Sequence, residues 1–177
     1  MSLSLARPGG NITGFWAQSS ELAAKRLQLL HEVVPKVSRA ALLWDPGFAG
    51  IHDQVRETQV AAKALGMELQ LVEARFPSEF DSSFASMMRQ GSRAIVVIGS
   101  SMHFVYRARI AELALKNGLP SGCFLREFAE AGCLMSYAPS IRDLWHRSAT
   151  YVDRILKGAK PADFPFSNPR SSSWRSI

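Results

Sequence analysis

The sequence predicts an α/β fold in which a mostly parallel sheet lies between two layers of helices. Short apolar runs, such as residues 40–44 and 94–98, alternate along the chain with amphipathic helical patterns. Continuous apolar runs of this length are typical of strands covered on both faces. Strands that alternate with helices form right-handed βαβ units, and such units produce a parallel sheet.

The predicted elements follow one another in a regular order. The first helix begins at a cap, Ser19 or Ser20, and has an apolar stripe at steps of three and four residues, formed by Ala23, Leu27, Leu30 and Val34. The later elements are, in chain order, strand 40–44, helix 51–65, strand 67–72, helix 78–88, strand 94–98, helix 101–117, strands 120–125 and 133–137, and helix 140–157. Gly66 and Asn117-Gly118 are typical helix ends.

Composition limits the classes of function. A chain of 177 residues with 47% hydrophobic residues fits one domain with a sizeable core. The net charge of +6 comes from scattered Lys and Arg, Lys25 and Arg26 among them, which predicts solvated helix faces rather than a nucleic-acid surface. No apolar run approaches the roughly 20 residues of a membrane span, and the first residues do not form a signal peptide.

The sequence motifs of common enzymes are missing. No GxGxxG follows a strand and no GxxxxGK[ST] is found, so the chain lacks both nucleotide fingerprints. Ser100 and Ser101 follow a strand without the GxSxG of a nucleophile elbow. The four histidines are too far apart for metal-ligand spacing. We therefore expect no catalysis, no cofactor and no metal.

The two cysteines leave two states open. Cys123 and Cys133 can form a disulfide if their strands are neighbours. Otherwise they are small buried thiols.

The topology predicts where a ligand would bind. In parallel sheets ligands sit at the carboxyl ends of the strands. This places the candidate ligand-binding residues along one edge: Trp44, Asp45, Gly99, Ser100, Ser101, Arg126, Phe128 and Tyr137. Arg126 is the candidate for pairing with a ligand carboxylate, and a surface ion pair with Glu127 or Glu130 is the alternative. The turn at Gly99 either holds an anion or is a plain strand-to-helix turn.

Several segments together resemble the substrate-binding components of ABC transporters, in the branch that binds tryptophan or tyrosine. They are RPGGNITG (7–14), ELAAKRLQLLHEVVP (21–35), RAALLWDP (39–46), RARIAELALKNGLP (107–120) and the long stretch 125–163, which contains REFAEAGCLMSY and YVDRILKGAKPAD. The resemblance implies the type I periplasmic binding fold, in which two flavodoxin-like lobes close on a small ligand. It implies a solute, an amino acid among the candidates, an ABC permease partner, and a periplasmic or cell-surface location.

The resemblance also implies a domain organisation. Residues 1–18 would be a connector that crosses between lobes, 19–139 the second lobe, 140–166 a returning helix with its extension, and 167–177 a mobile tail. The chain would thus be a fragment without the first lobe. We expect the helix at 140–157 to form a homodimer through an apolar face of Leu144, Tyr151, Val152 and Ile155. The ligand-sensing core of a LacI-like transcription regulator, which shares the fold, is the alternative function.

Overall fold

A computed structural model describes residues 11–14, 19–164 and 172–176. The sheet has six strands in the order β2-β1-β3-β4-β5-β6. In chain order they are β1 Arg39–Trp44, β2 Glu68–Glu73, β3 Ile95–Val97, β4 Ser121–Cys123, β5 Met135–Pro139 and β6 Ser172–Ser176. The strands β1 to β5 pair in parallel, which confirms the predicted parallel α/β, flavodoxin-like fold.

Seven helices are present among the described residues: α1 Ser19–Val33, α2 Ile51–Ala64, α3 Phe80–Arg89, α4 Ser101–Val105, α5 Arg107–Lys116, α6 Arg126–Glu130 and α7 Ile141–Leu156. The helix predicted at 101–117 is two helices, because the backbone leaves helical geometry at Tyr106 (ψ 20°). The sequence analysis did not predict α6. Helices α2 and α5 are followed by Gly66 and Gly118 with φ of 66° and 62°, as expected for glycine at a helix end.

The core lies on both faces of the sheet. On one face α1 and α2 cover Leu42, Trp44 and Val96. On the other face α3, α5 and α6 cover Leu43 and Val97. Alternate residues of the same strands thus enter opposite layers, which explains why β1 and β3 read as continuous apolar runs. Strand β2 is an edge strand and is more exposed, with Val72 as its one buried residue.

The chain divides into two compact units. One comprises residues 19–138 with 174–177, and the other comprises 1–18 with 139–173. Within the second unit the Thr13 hydroxyl donates a hydrogen bond to the carbonyl of Phe164 (2.8 Å), and the rings of Tyr151 and Phe164 lie 4.7 Å apart.

Parts of the predicted domain organisation fall outside the described residues, namely 1–10 and 15–18 of the connector, 165–166 of the extension, and 167–171 with 177 of the tail. The side chains of Ser19 and Ser20, the predicted helix caps, also lie outside what the structure describes. Strand β6 lies within the segment 167–177, where the sequence analysis predicted no regular structure. A strand can form there because pairing with a sheet edge does not need an apolar sequence.

Candidate functional site

The carboxyl ends of five parallel strands meet along one edge of the sheet, which we call the carboxyl edge. It comprises the loops that follow β1, β2, β3 and β4 and the end of β5. Backbone hydrogen bonds extend the pairing to these ends: the N–H of Ala74 donates to Trp44 (2.9 Å), and that of Ile98 to Leu43 (3.1 Å). The candidate loops therefore follow neighbouring parallel strands on one edge of the sheet. Their contact with a ligand remains a prediction.

Trp44 and Asp45 end β1 at this edge. The indole of Trp44 is only 7% exposed and makes an edge contact with the His52 ring (centroids 5.4 Å apart). Its Nε1 is buried without a hydrogen-bond partner among the described residues. Asp45 is half-buried, and its Oδ1 accepts a hydrogen bond from the N–H of Gly47 (2.9 Å), which holds the turn. Asp45 thus offers the more accessible polar group.

The turn after β3 is closely packed. A Cβ atom on Gly99 would lie 3.1 Å from Cδ2 of Phe124, so only glycine fits without displacing that ring. Ser100 caps α4, because its Oγ accepts a hydrogen bond from the N–H of His103 (3.1 Å). Ser101 is exposed. Since the His103 N–H is already satisfied, the turn fits the plain strand-to-helix alternative better than an anion site.

His103 is a buried residue of this edge that the sequence analysis counted only among the four histidines without metal-ligand spacing. It has no exposed surface, and its Nδ1 lies 3.1 Å from the carbonyl oxygen of Ile98. A carbonyl accepts, so Nδ1 carries the proton and Nε2 is the free acceptor. Burial lowers the pKa of His103, against smaller opposing effects of the Ile98 carbonyl and the Asp45 charge. The imidazole is therefore neutral at pH 7.

Strand β4 leads into α6 through Phe124, whose ring is half-buried and lies 4.8 Å from that of Phe128. Phe128 itself has no exposed surface and belongs to the core. In the structure its side chain supports Phe124 and α6 rather than facing solvent. Arg126 is exposed and forms an ion pair with Glu130 (2.8 Å), which is the surface alternative that the sequence left open. An exposed pair of this kind contributes about 0.3–0.5 kcal/mol, so a ligand carboxylate could replace it.

Tyr137 in β5 is half-buried, and its carbonyl accepts a hydrogen bond from Nε of Arg26 (2.9 Å). The prediction that Arg26 lies on a solvated face was wrong, since it is only 2% exposed. Its position was readable from the sequence, because Arg26 follows Ala23 by three residues and precedes Leu30 by four, on the apolar stripe of α1. Burial lowers the pKa of Arg26 to about 10, so it remains charged at pH 7.

The arrangement presents several groups that can contact a small ligand. The carboxyl edge combines an exposed guanidinium, a turn carboxylate, a hydroxyl and a partly exposed ring, at Arg126, Asp45, Ser101 and Phe124. Within the described ranges no three His, Cys, Asp or Glu residues are placed to hold a metal ion. None of the described helices is both long and apolar enough to span a membrane. An open pocket of about 560 Å³ lies elsewhere, at the start of β4, where Leu119, Pro120 and Ser121 line it.

A family model described as "ABC transporter substrate binding protein" matches residues 2–174. No curated protein matches the chain.

Solved structures share the fold. An ABC domain from Streptococcus pneumoniae in complex with L-Trp is 23% identical (TM-score 0.81) over 97% of this chain and 58% of that one. A conserved domain protein from Vibrio cholerae is 20% identical (TM-score 0.85) over 98% and 57%. A LacI family transcriptional regulator from Bifidobacterium animalis is 10% identical (TM-score 0.71) over 94% and 63%. The chain thus spans less than two thirds of each of these structures.

Proposed function

Because the chain belongs to the ABC transporter substrate-binding protein family, we propose that it is a solute-binding lobe that captures a small molecule for import. The match over residues 2–174 carries this proposal. Family members are binding proteins, which agrees with a carboxyl edge that presents polar and aromatic groups without a catalytic arrangement. An ABC permease is the proposed partner, and the periplasm or cell surface the proposed location.

An amino acid is the proposed solute. The Streptococcus pneumoniae domain holds L-Trp at 23% identity, which supports this class without fixing the side chain. Arg126 is the group we propose for the ligand carboxylate, because an exposed guanidinium makes bidentate pairs and only the weak Glu130 contact must be exchanged. The ring of Phe124 and the hydroxyl of Ser101 would contact the rest of the solute, with Asp45 available for its ammonium group.

A LacI-like sensor core is the alternative, and the same fold would serve it. Regulators of that type are among the structural neighbours, at 10% identity in the Bifidobacterium animalis case. The family match covers nearly the whole chain and favours transport.

The proposed homodimer rests on α7. Of the face predicted from sequence, Val152 is 56% exposed, whereas Leu144, Tyr151 and Ile155 are half-buried. Trp145 and Leu156 are also exposed, at 71% and 83%, so the apolar surface available for a second copy is shifted around the helix.

The test compares two arginines at opposite ends of the strands. Arg126 lies at the carboxyl edge, and Arg39 begins β1 and pairs with Glu68 at the start of β2. Both are ion-paired, and the side chain is 64% exposed for Arg126 and 40% for Arg39, so Arg39→Gln is the control for Arg126→Gln. With millimolar L-tryptophan, L-tyrosine or L-leucine, we expect a saturation-transfer NMR signal on at least one ligand, reduced by Arg126→Gln and unchanged by Arg39→Gln. A signal lost only in Arg39→Gln would contradict the proposed site.

A further inference from the structure

The sulfur atoms of Cys123 and Cys133 are in direct contact. Cys123 is the last residue of β4. Cys133 lies two residues before β5, the parallel strand that pairs with β4. The Cys123 thiol donates to the sulfur of Cys133 at 2.9 Å, and neither residue has exposed surface. A disulfide bond measures about 2.05 Å, so the sulfurs need to approach by roughly 0.9 Å. The packing therefore already brings the two thiols to the point of bond formation.

A buried cation stands near this pair. Nε of Arg26 donates a hydrogen bond to the carbonyl of Tyr137. One of the two terminal nitrogens, Nη1, is buried with no hydrogen-bond partner in the part of the chain described here. Its charge acts on Cys123 and opposes the effect of burial on that thiol. Cations beside cysteines favour the thiolate, which is the reactive form.

The two thiols differ in acidity. Burial raises the pKa of Cys123 well above its ordinary value. The hydrogen bond donated by Cys123 lowers the pKa of Cys133, and a smaller contribution comes from Ser121. Cys133 is thus the sulfur that ionises first, and Cys123 is the proton donor that stabilises it.

We propose that Cys123 and Cys133 are a redox-active pair that exchanges with a small-molecule disulfide to form an intramolecular disulfide, and that this bond restrains the segment carrying α6. The segment between the two cysteines contains Arg126 and Phe128, so the bond would fix part of the carboxyl edge. This inference does not depend on the identity of the solute or on transport.

The exchange balances in two steps. The thiolate of Cys133 attacks one sulfur of a disulfide RSSR, the S–S bond breaks, and one RS⁻ leaves with the electron pair and takes up a proton. Cys123 then loses its proton to solvent and attacks the Cys133 sulfur, and the second RS⁻ leaves. The protein gives up two electrons and two protons, and RSSR is reduced to two RSH.

Backbone opening must precede the reaction, because both sulfurs are buried. Gly132 directly precedes Cys133, has a φ of 113°, and lines the 560 Å³ pocket together with Leu134. The pocket gives a small disulfide room beside the backbone on both sides of Cys133. Oxidising compartments, such as those in which the family acts, supply disulfides of this class.

The test uses the whole 177-residue chain and oxidised glutathione. After incubation the protein is denatured, alkylated with iodoacetamide and weighed intact. We expect a monomer with no alkylated thiol, and two alkylated thiols after prior reduction with dithiothreitol. The oxidised chain should have a Tm about 5–10 °C above that of the reduced chain, because a short cross-linked loop restricts the unfolded state. Amides in residues 125–133 should exchange hydrogen more slowly after oxidation.

Variants separate the parts of the proposal. The Tm of Cys123→Ser and of Cys133→Ser should not change with oxidised glutathione. If either variant does not fold, the comparison of oxidised and reduced wild-type chain is the test. Arg26→Met should slow oxidation several-fold, whereas Arg39→Gln should not; an unchanged rate in Arg26→Met would overturn the part assigned to Arg26. Two alkylatable thiols after oxidation, a stable glutathione adduct, or a disulfide-linked dimer would each overturn the redox pair.

Discussion

Gly99 is the position where the packing of the carboxyl edge is most sensitive to one added carbon. A Cβ there would lie 3.1 Å from Cδ2 and 3.2 Å from Cε2 of Phe124. These distances are shorter than ordinary van der Waals contact, so the Phe124 ring must shift. Its other neighbour is the fully buried Phe128 ring, 4.8 Å away, which limits the directions in which it can move. We expect the substitution Gly99→Ala to destabilise the fold.

The magnitude follows from the cost of overpacking. Inserting a carbon into a packed site costs about 1–3 kcal/mol, and the lower part of this range applies because Phe124 is half-buried and can yield outward. At about 2–4 °C per kcal/mol for a chain of this size, Gly99→Ala should lower Tm by about 2–8 °C. Urea denaturation followed by circular dichroism measures the corresponding free energy of unfolding.

Gly122→Ala is the control, because Gly122, which lies in β4, resembles Gly99 in having no positive φ. Its added Cβ would meet Leu30 Cδ2 at 3.6 Å, an ordinary contact, so we expect a smaller loss of stability than for Gly99→Ala. Replacing Phe124 by Leu in the Gly99→Ala background should recover part of the loss, as a double-mutant cycle would measure. Equal stability of Gly99→Ala and Gly122→Ala, or no coupling with Phe124→Leu, would show that the Phe124 ring does not limit the space at Gly99.

Three further predictions concern pH, association and affinity. Burial lowers the pKa of His103 in the folded chain, so below a pH of about 6.5 the unfolded chain binds more protons than the folded chain. The free energy of unfolding should therefore fall as the pH drops below that value, and it should fall less steeply in His103→Asn. Equal slopes for the two chains in urea titrations would contradict this. The chain should dimerise through the exposed face of α7 at tens of micromolar. In sedimentation equilibrium Val152→Asp should be a monomer, because an unpaired carboxylate is unfavourable in an apolar contact. A wild-type monomer near 19.5 kDa would reject the dimer. Calorimetry with aromatic and branched amino acids should give a Kd no tighter than about 1 mM, because contacts from one lobe alone do not offset the entropy of immobilising a ligand; a micromolar Kd would contradict this.

Strands β1 and β3 could be predicted from sequence because each is an apolar run whose two faces are both covered. The same runs fix the order of βαβ units and therefore the edge at which Asp45, Ser101 and Arg126 lie. The short helix α6 could not be predicted this way, because five residues are too few to form a stable helix without tertiary contacts. It forms where Phe128 enters the core, and that burial is set by neighbours distant in sequence.

Other features of the site also depend on tertiary packing. Arg26 sits on an apolar stripe, but its burial is decided by how α1 packs near Tyr137. The contact between Cys123 and Cys133 depends on β4 and β5 being neighbours, which a pattern of apolar runs does not specify. The break between α4 and α5 at Tyr106 has no Gly or Pro to signal it.

The central claim is that the carboxyl edge is the solute-binding surface, and amide chemical-shift mapping tests it most directly. The ¹⁵N-labelled chain would be titrated with millimolar L-tryptophan, L-tyrosine and L-leucine. We expect shifts concentrated at Asp45, Ser100–Ser101 and Arg126, with little change at the opposite edge around Arg39 and Ser121. Shifts concentrated at that opposite edge, with the carboxyl edge unchanged, would contradict it.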